Sequence, residues 1–142
     1  MARRPRTDIR QRFERRERGD LMRRIRRDAE VIAVHFGLRY RALEPERRNV
    51  TSRYGVCFSD GTIRIRLQHA TTGRLLLYSS LVNTLCHELA HLRHFNHGLQ
   101  FQAFYDQLLE FARDRGIYQP GERARKEAEE LRSGPKQLGL FS

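Results

Sequence analysis

Residues 75–95 read LLLYSSLVNTLCHELAHLRHF, from Leu75 to Phe95. Apolar residues fall on several sides of a helix drawn through this run, the pattern of a helix buried beneath a sheet. The spacing predicts a helix from Arg74 to about Phe95. After His97-Gly98 a second, amphipathic helix carries Phe101, Phe104, Leu108, Leu109 and Ala112, and Gly116 stops it before Pro120-Gly121.

The first helix also holds the chemistry. His87-Glu88-Leu89-Ala90-His91 places two imidazoles one turn apart on one face, so both can grip a single zinc ion, with Glu88 beside them. A metal in such a site acidifies a bound water while the carboxylate takes its proton, which makes a hydroxide-like nucleophile near neutral pH. This is the chemistry of peptide or amide hydrolysis. Two histidines on a helix also arise by chance, as satisfied core or surface groups.

Catalytic zinc normally keeps three protein ligands and an open position, which calls for a third donor. His97 is favoured, because Asn96 and Gly98 on either side tolerate left-handed backbone and let the chain leave the helix. His94 follows His87 by seven residues, about 20° away on the same face, but a straight helix sets it a further turn along. Glu110 on the following helix is a third candidate, whose bland reading is a solvated position. Tyr105, Arg93 and His94 are candidates for oxyanion support. His35 and His69 have no partner pattern and are assigned nothing.

Upstream, Leu38, Tyr40 and Ala42 alternate, as do Tyr54, Val56 and Phe58, and then Ile63, Ile65 and Leu67. These predict strands, the last two joined by a hairpin at Asp60-Gly61. Arg64 and Arg66 then project from the opposite face and add a basic stripe if that face is solvated. Before the strands, Asp20 caps a helix in which Leu21, Ile25, Ala29, Ile32 and Phe36 recur at helical spacing, and Gly37 ends it. The fold class expected is α+β: an N-terminal helix, a small antiparallel sheet with a hairpin, the zinc-binding helix and a following C-terminal helix. The chain divides into a basic, partly helical arm over 1–19, a domain over 20–118 and a polar, poorly ordered tail over 119–142.

At 142 residues the chain suits one domain. Its formal net charge is +11, and of 28 basic residues only Lys126 and Lys136 are lysines. Arginine suits bidentate phosphate contact, so the excess points to a polyanion such as nucleic acid. Arg12, Arg15, Arg16, Arg23, Arg24 and Arg27 are the candidates for DNA contact, against the plainer reading of a solvated helix face. No signal peptide or membrane-spanning run is visible, so a cytoplasmic protein is expected. Cys57 and Cys86 lie apart in apolar surroundings and read as buried hydrophobes rather than a disulfide.

The chain resembles the SprT-like metalloproteases and the related YgjP-like metal-dependent hydrolases, over roughly residues 38–115. The resemblance is carried by Tyr54-Gly55-Val56-Cys57-Phe58, by the Asp60-Gly61 turn and the strand Ile63–Leu67, by the HELAHL helix, and by Asn96-His97-Gly98-Leu99-Gln100-Phe101. Many relatives have Trp-Gly-Ser-Cys where this chain has Tyr54-Gly55-Val56-Cys57. The resemblance implies a zinc peptidase, and in SprT-like proteins proteolysis is tied to DNA and to proteins crosslinked to it. Two other readings stand beside it: a non-catalytic zinc-containing adaptor joining DNA to a clamp, and a hydrolase of a non-protein amide. Finally, Gln137-Leu138-Gly139-Leu140-Phe141 looks like the bacterial sliding-clamp-binding pentapeptide, in which Gln137, Leu138, Leu140 and Phe141 would meet the clamp.

Overall fold

The computed structural model describes residues 6–121. A single helix, α1 (Arg6–Phe36), opens the chain. It runs through Gly19 without interruption, so the expected boundary between a basic arm and a capped helix at Asp20 does not exist. One glycine costs a helix only about 1 kcal/mol, and good helix formers flank this one. Asp20 pairs with Arg23 one turn on instead of capping. The helix ends at Gly37, whose φ of 68° and the bond from Leu38 N to Ala33 O (2.8 Å) close the last turn.

Three short strands follow: β1 (Ala42–Pro45), β2 (Gly55–Cys57) and β3 (Thr62–Ile65). Their order is β1-β3-β2. β2 and β3 form the antiparallel hairpin, turned at Gly61 with φ 88° while Asp60 Oδ1 accepts from Thr62 N (2.9 Å). β1, however, pairs parallel to β3, so the sheet is mixed rather than antiparallel. Leu38 and Tyr40 are not strand residues, and their alternation reflects side chains turned back onto the core. The expected basic stripe does not form as a solvated face. Arg66 is buried and donates to Val50 O (2.7 Å), and Arg64 is paired with Glu44 (3.5 Å).

Helix α2 (Tyr78–His91) begins later than its apolar run. Leu75 bridges to Gln68, and Leu76 N donates to Leu67 O (2.8 Å), so these leucines extend the sheet's edge before the helix starts. α2 lies under the sheet and against α1 and α3 (Leu99–Asp114). Ile25 and Ile32 of α1, Ile63 and Ile65 of β3, Leu81, Leu85 and Leu89 of α2 and Leu108 of α3 fill the core. Two hydrogen bonds, one half-buried and one buried, tie the helices together. Tyr78 donates to Asp28 of α1, and Tyr105 of α3 donates to the amide oxygen of Asn83. Both cysteines are buried, which pushes the Cys57 thiol up to about 12 and the Cys86 thiol higher still.

A Cβ at position 19 would meet nothing nearer than the Arg23 guanidinium at 3.9 Å, and φ there is not positive. Gly19→Ala should therefore stabilise the protein by about 0.5–1 kcal/mol in urea unfolding. No gain would show that the helix is interrupted there in solution.

Candidate metal centre

α2 is the floor of the site. Its helical period puts His87 and His91 one turn apart, and both side chains face α3. The helix stops at His91, with Leu92 as its last αR residue, and the chain turns through Arg93–Gly98 before α3 begins. This early stop matters, because it carries His97 back over the end of α2. His97 Nε2 lies 2.9 Å from His91 Nε2 and 3.2 Å from His87 Nε2.

Three ring nitrogens aimed at one point suit a cation. Each neutral imidazole offers one lone pair, and a tetrahedral ion at about 2.0–2.1 Å from nitrogen ligands sets neighbouring nitrogens about 3.3 Å apart. The observed separations are close to that value. The tautomers agree as well. His91 Nδ1 lies 3.1 Å from the backbone oxygen of His94, so its proton sits on Nδ1 and its Nε2 lone pair faces the other two rings. Phe101 of α3 walls the cluster. It stacks on His91 with ring centroids 4.4 Å apart, and meets His87 and His97 edge-on at 5.0 and 4.9 Å.

Glu88 points away from solvent, toward β2, and is only 1% exposed. Its fit depends on Gly55: a Cβ there would stand 2.9 Å from Glu88 Oε2 and 2.7 Å from Thr84 Cγ2, closer than side chains tolerate. Burial pushes the Glu88 carboxyl well above the usual range, and the positive charge of Arg53 opposes that rise. Arg53 is itself held by Glu46 in a buried pair, Nε to Oε2 at 2.8 Å. Glu88 Oε1 is buried with no hydrogen-bond partner among the described residues. A buried carboxyl oxygen left so is costly unless a further group completes it.

The other candidates lie elsewhere. His94 contributes its backbone oxygen, while its ring lies edge-on to Phe104 at 5.7 Å. Arg93 donates to Phe36 O (2.6 Å) and covers the Phe104 ring. Glu110 is exposed on α3, outside the cluster. Tyr105 stands 5.3 Å from the His87 ring, with its hydroxyl engaged by Asn83. Of the arginines considered for DNA, Arg24 lies over the Tyr78 ring at 3.6 Å, Arg23 pairs with Asp20 and Arg27 with Asp28 (3.7 Å). Arg12, Arg15 and Arg16 are exposed. The clamp-like residues 137–141 lie outside the described residues. Phe101 as the common wall, Gly55 as the space for Glu88 and the Glu46–Arg53 pair were not singled out from the sequence for these roles. The phenylalanine following His97-Gly98 was the one visible signal.

A family model described as YgjP-like, metallopeptidase domain, matches residues 2–116. The chain belongs to this YgjP-like family. A metal is therefore implied, and the histidine cluster is a donor set able to hold it. The match takes in the N-terminal half of α1 as well as the core. Among solved structures, a mutant of Wss1 from Saccharomyces cerevisiae shares 19% identity, covering 73% of this chain and 86% of that one with a TM-score of 0.65. A second Wss1 structure from the same yeast shares 19% identity over 72% of this chain and 84% of that one, also at a TM-score of 0.65. These likenesses show a shared fold. No curated protein matches the YgjP-like chain.

His97→Ala should lower metal affinity by more than the roughly 10- to 100-fold that loss of an outer hydrogen-bond partner costs, whereas His94→Ala, which keeps the backbone oxygen, should retain one metal per chain. Metal analysis of the purified variants decides this, and equal retention in both would remove His97 from the site.

Proposed function

We propose that this YgjP-like chain is a zinc peptidase acting on proteins associated with DNA, with His87, His91 and His97 holding the zinc and Glu88 as general base. The observation that carries the reading is the convergence of three imidazole nitrogens next to a buried carboxylate with an unpartnered oxygen. A zinc ion held there supplies Lewis acidity toward a peptide carbonyl and acidifies water to near neutral pH. Three nitrogen donors without a thiolate suit zinc, and they leave one position open for chemistry.

The protein's own residues do the rest. Glu88 accepts the proton of the attacking water at Oε1 and returns it to the departing amine, so the C–N bond breaks without a free amide anion. Its burial shields the carboxyl from bulk water between the two steps. The Nδ1 contact of His91 with the His94 carbonyl keeps that ring oriented, and Phe101 excludes water from behind the rings. The same burial argues against a purely adaptor role, since a structural metal site has no use for an unsatisfied buried carboxylate.

The DNA association rests on charge. The net charge is +11, and Arg12, Arg16, Arg23 and Arg27 fall on one stripe of α1, opposite its buried face. Recruitment by a sliding clamp through Gln137–Phe141 rests on the pentapeptide alone.

Glu88→Gln is the direct test. It should retain metal and fold while reducing cleavage of a DNA-bound protein substrate by at least about 10²-fold, the lower end of what a general base contributes. Undiminished cleavage would end the mechanism, and cleavage of small amides but not of proteins would favour the non-protein amide reading. Removing Leu140 and Phe141 should abolish binding to the organism's own clamp, measured by titration, and leave metal content and peptidase activity unchanged. Absence of binding by the intact chain would sink the clamp assignment.

A further inference from the structure

The inward stripe of α1 changes character along its length. Met22, Ile25, Ala29 and Ile32 carry it through the core. At the same three- and four-residue spacing, the next positions toward the N-terminus are Arg18 and Glu14. Both border a cleft of about 300 Å3, open to solvent on one side, between α1, the loop after β1 and the segment after β3. Arg47 and Arg48 enter from the loop, and Arg66 from the end of β3.

The charge there is unbalanced. Glu46 also lines the cavity, but both of its oxygens are engaged, Oε1 by the backbone N of Arg47 (3.1 Å) and Oε2 by Arg53 (2.8 Å). The lining thus holds four arginines, Arg18, Arg47, Arg48 and Arg66, against the two carboxylates Glu14 and Glu46. Two of these groups are fixed in place, since Arg18 donates to Gln68 Oε1 (2.9 Å) and Arg66 to Val50 O (2.7 Å). Each guanidinium has five N–H groups, and these bonds use one apiece. Burial disfavours the charge on both and Arg48 adds repulsion on Arg18, effects that Glu14 at Arg18 and Tyr54 and Glu46 at Arg66 offset only in part. A bound anion would relieve each of these effects.

We propose that this cavity is a phosphate-binding site that seats a phosphate of a nucleic-acid strand. Rigid guanidinium forks suit phosphate oxygens in bidentate geometry, and the volume lies at the lower end of the range for small-ligand pockets, large enough for a phosphate with part of its nucleoside. A concave seat favours a single strand or a strand end over the convex flank of a duplex. The basic stripe of α1 described above faces the other way, so this is a separate point of contact. The proposal rests on the DNA-associated reading and adds a defined seat to it. Inorganic phosphate is the other source of the same chemistry.

The test uses the full chain and fluorescence anisotropy with a labelled single-stranded oligonucleotide across a salt series. Wild type is compared with Arg47→Ala/Arg48→Ala, both exposed positions, and with Arg113→Ala/Arg115→Ala, which removes the same charge from the end of α3. The cavity pair should weaken binding by about tenfold or more and reduce the slope of log K against log salt by about one to two, while the α3 pair changes affinity less than about threefold. Thermal unfolding with millimolar inorganic phosphate is the second arm, with metal content as the check on folding. Equal losses in the two pairs would overturn the seat and leave the DNA-associated reading standing. Phosphate stabilisation lost in the cavity pair, with oligonucleotide binding unchanged, would overturn the nucleic-acid assignment in favour of free phosphate. If wild type binds no oligonucleotide, the DNA-associated reading fails, and the phosphate arm alone decides whether the cavity holds an anion.

Discussion

β2 and α2 approach until backbone meets side chain at Gly55, where a methyl group would stand 2.7 Å from Thr84 and 2.9 Å from Glu88. Much of the molecule depends on that contact. It lets the sheet seal the carboxylate from water, and it brings β2 close enough for Cys57 to join the core formed with Ile63, Leu85 and Leu89. Any residue with a Cβ there would meet Thr84 and Glu88 closer than side chains tolerate, so the strand and the helix would have to separate.

Beside that contact lies a short run of ionisable groups of alternating sign. Glu88 is buried and unpaired at Oε1, Arg53 is the opposing cation, and Glu46 fixes Arg53 from behind. Removing one member of such a buried pair leaves the other uncompensated, at a cost of about 3–5 kcal/mol. Glu46 also borders the basic cavity. The two concentrations of charge in this small domain therefore share one ion pair.

Part of this was legible in the sequence. The 3.6-residue period and two histidines four apart on one helix gave a site, and asparagine and glycine around His97 gave a chain able to turn back. Gly37, Gly61 and Gly116 marked turns because each adopts positive φ. What was not legible depended on tertiary contacts. Gly19 reads as a break, but a single glycine is a weak one within a strongly helical stretch. The alternation of Leu38 and Tyr40 matches a strand, yet it arises from packing without pairing. Arg64 and Arg66 looked solvent-facing because sequence period cannot show that the Val50 loop covers that side of the sheet. The parallel pairing of β1 with β3 leaves no local signal at all.

The histidines and Phe101 all lie between residues 87 and 101, within one helix, one turn and the start of the next helix. Their grouping is a local event of low sequence separation. The setting of Glu88 is different, because it requires Gly55 from a strand some thirty residues earlier in the chain. Contacts of that kind carry a larger loop-closure entropy and open through separate, sub-global fluctuations. The histidine cluster thus depends on local chain geometry, whereas the burial of Glu88 depends on long-range packing. Two kinds of change therefore reach the site by different routes: one that redirects the Arg93–Gly98 turn scatters the rings, and one that crowds Gly55 alters only the surroundings of the Glu88 carboxyl.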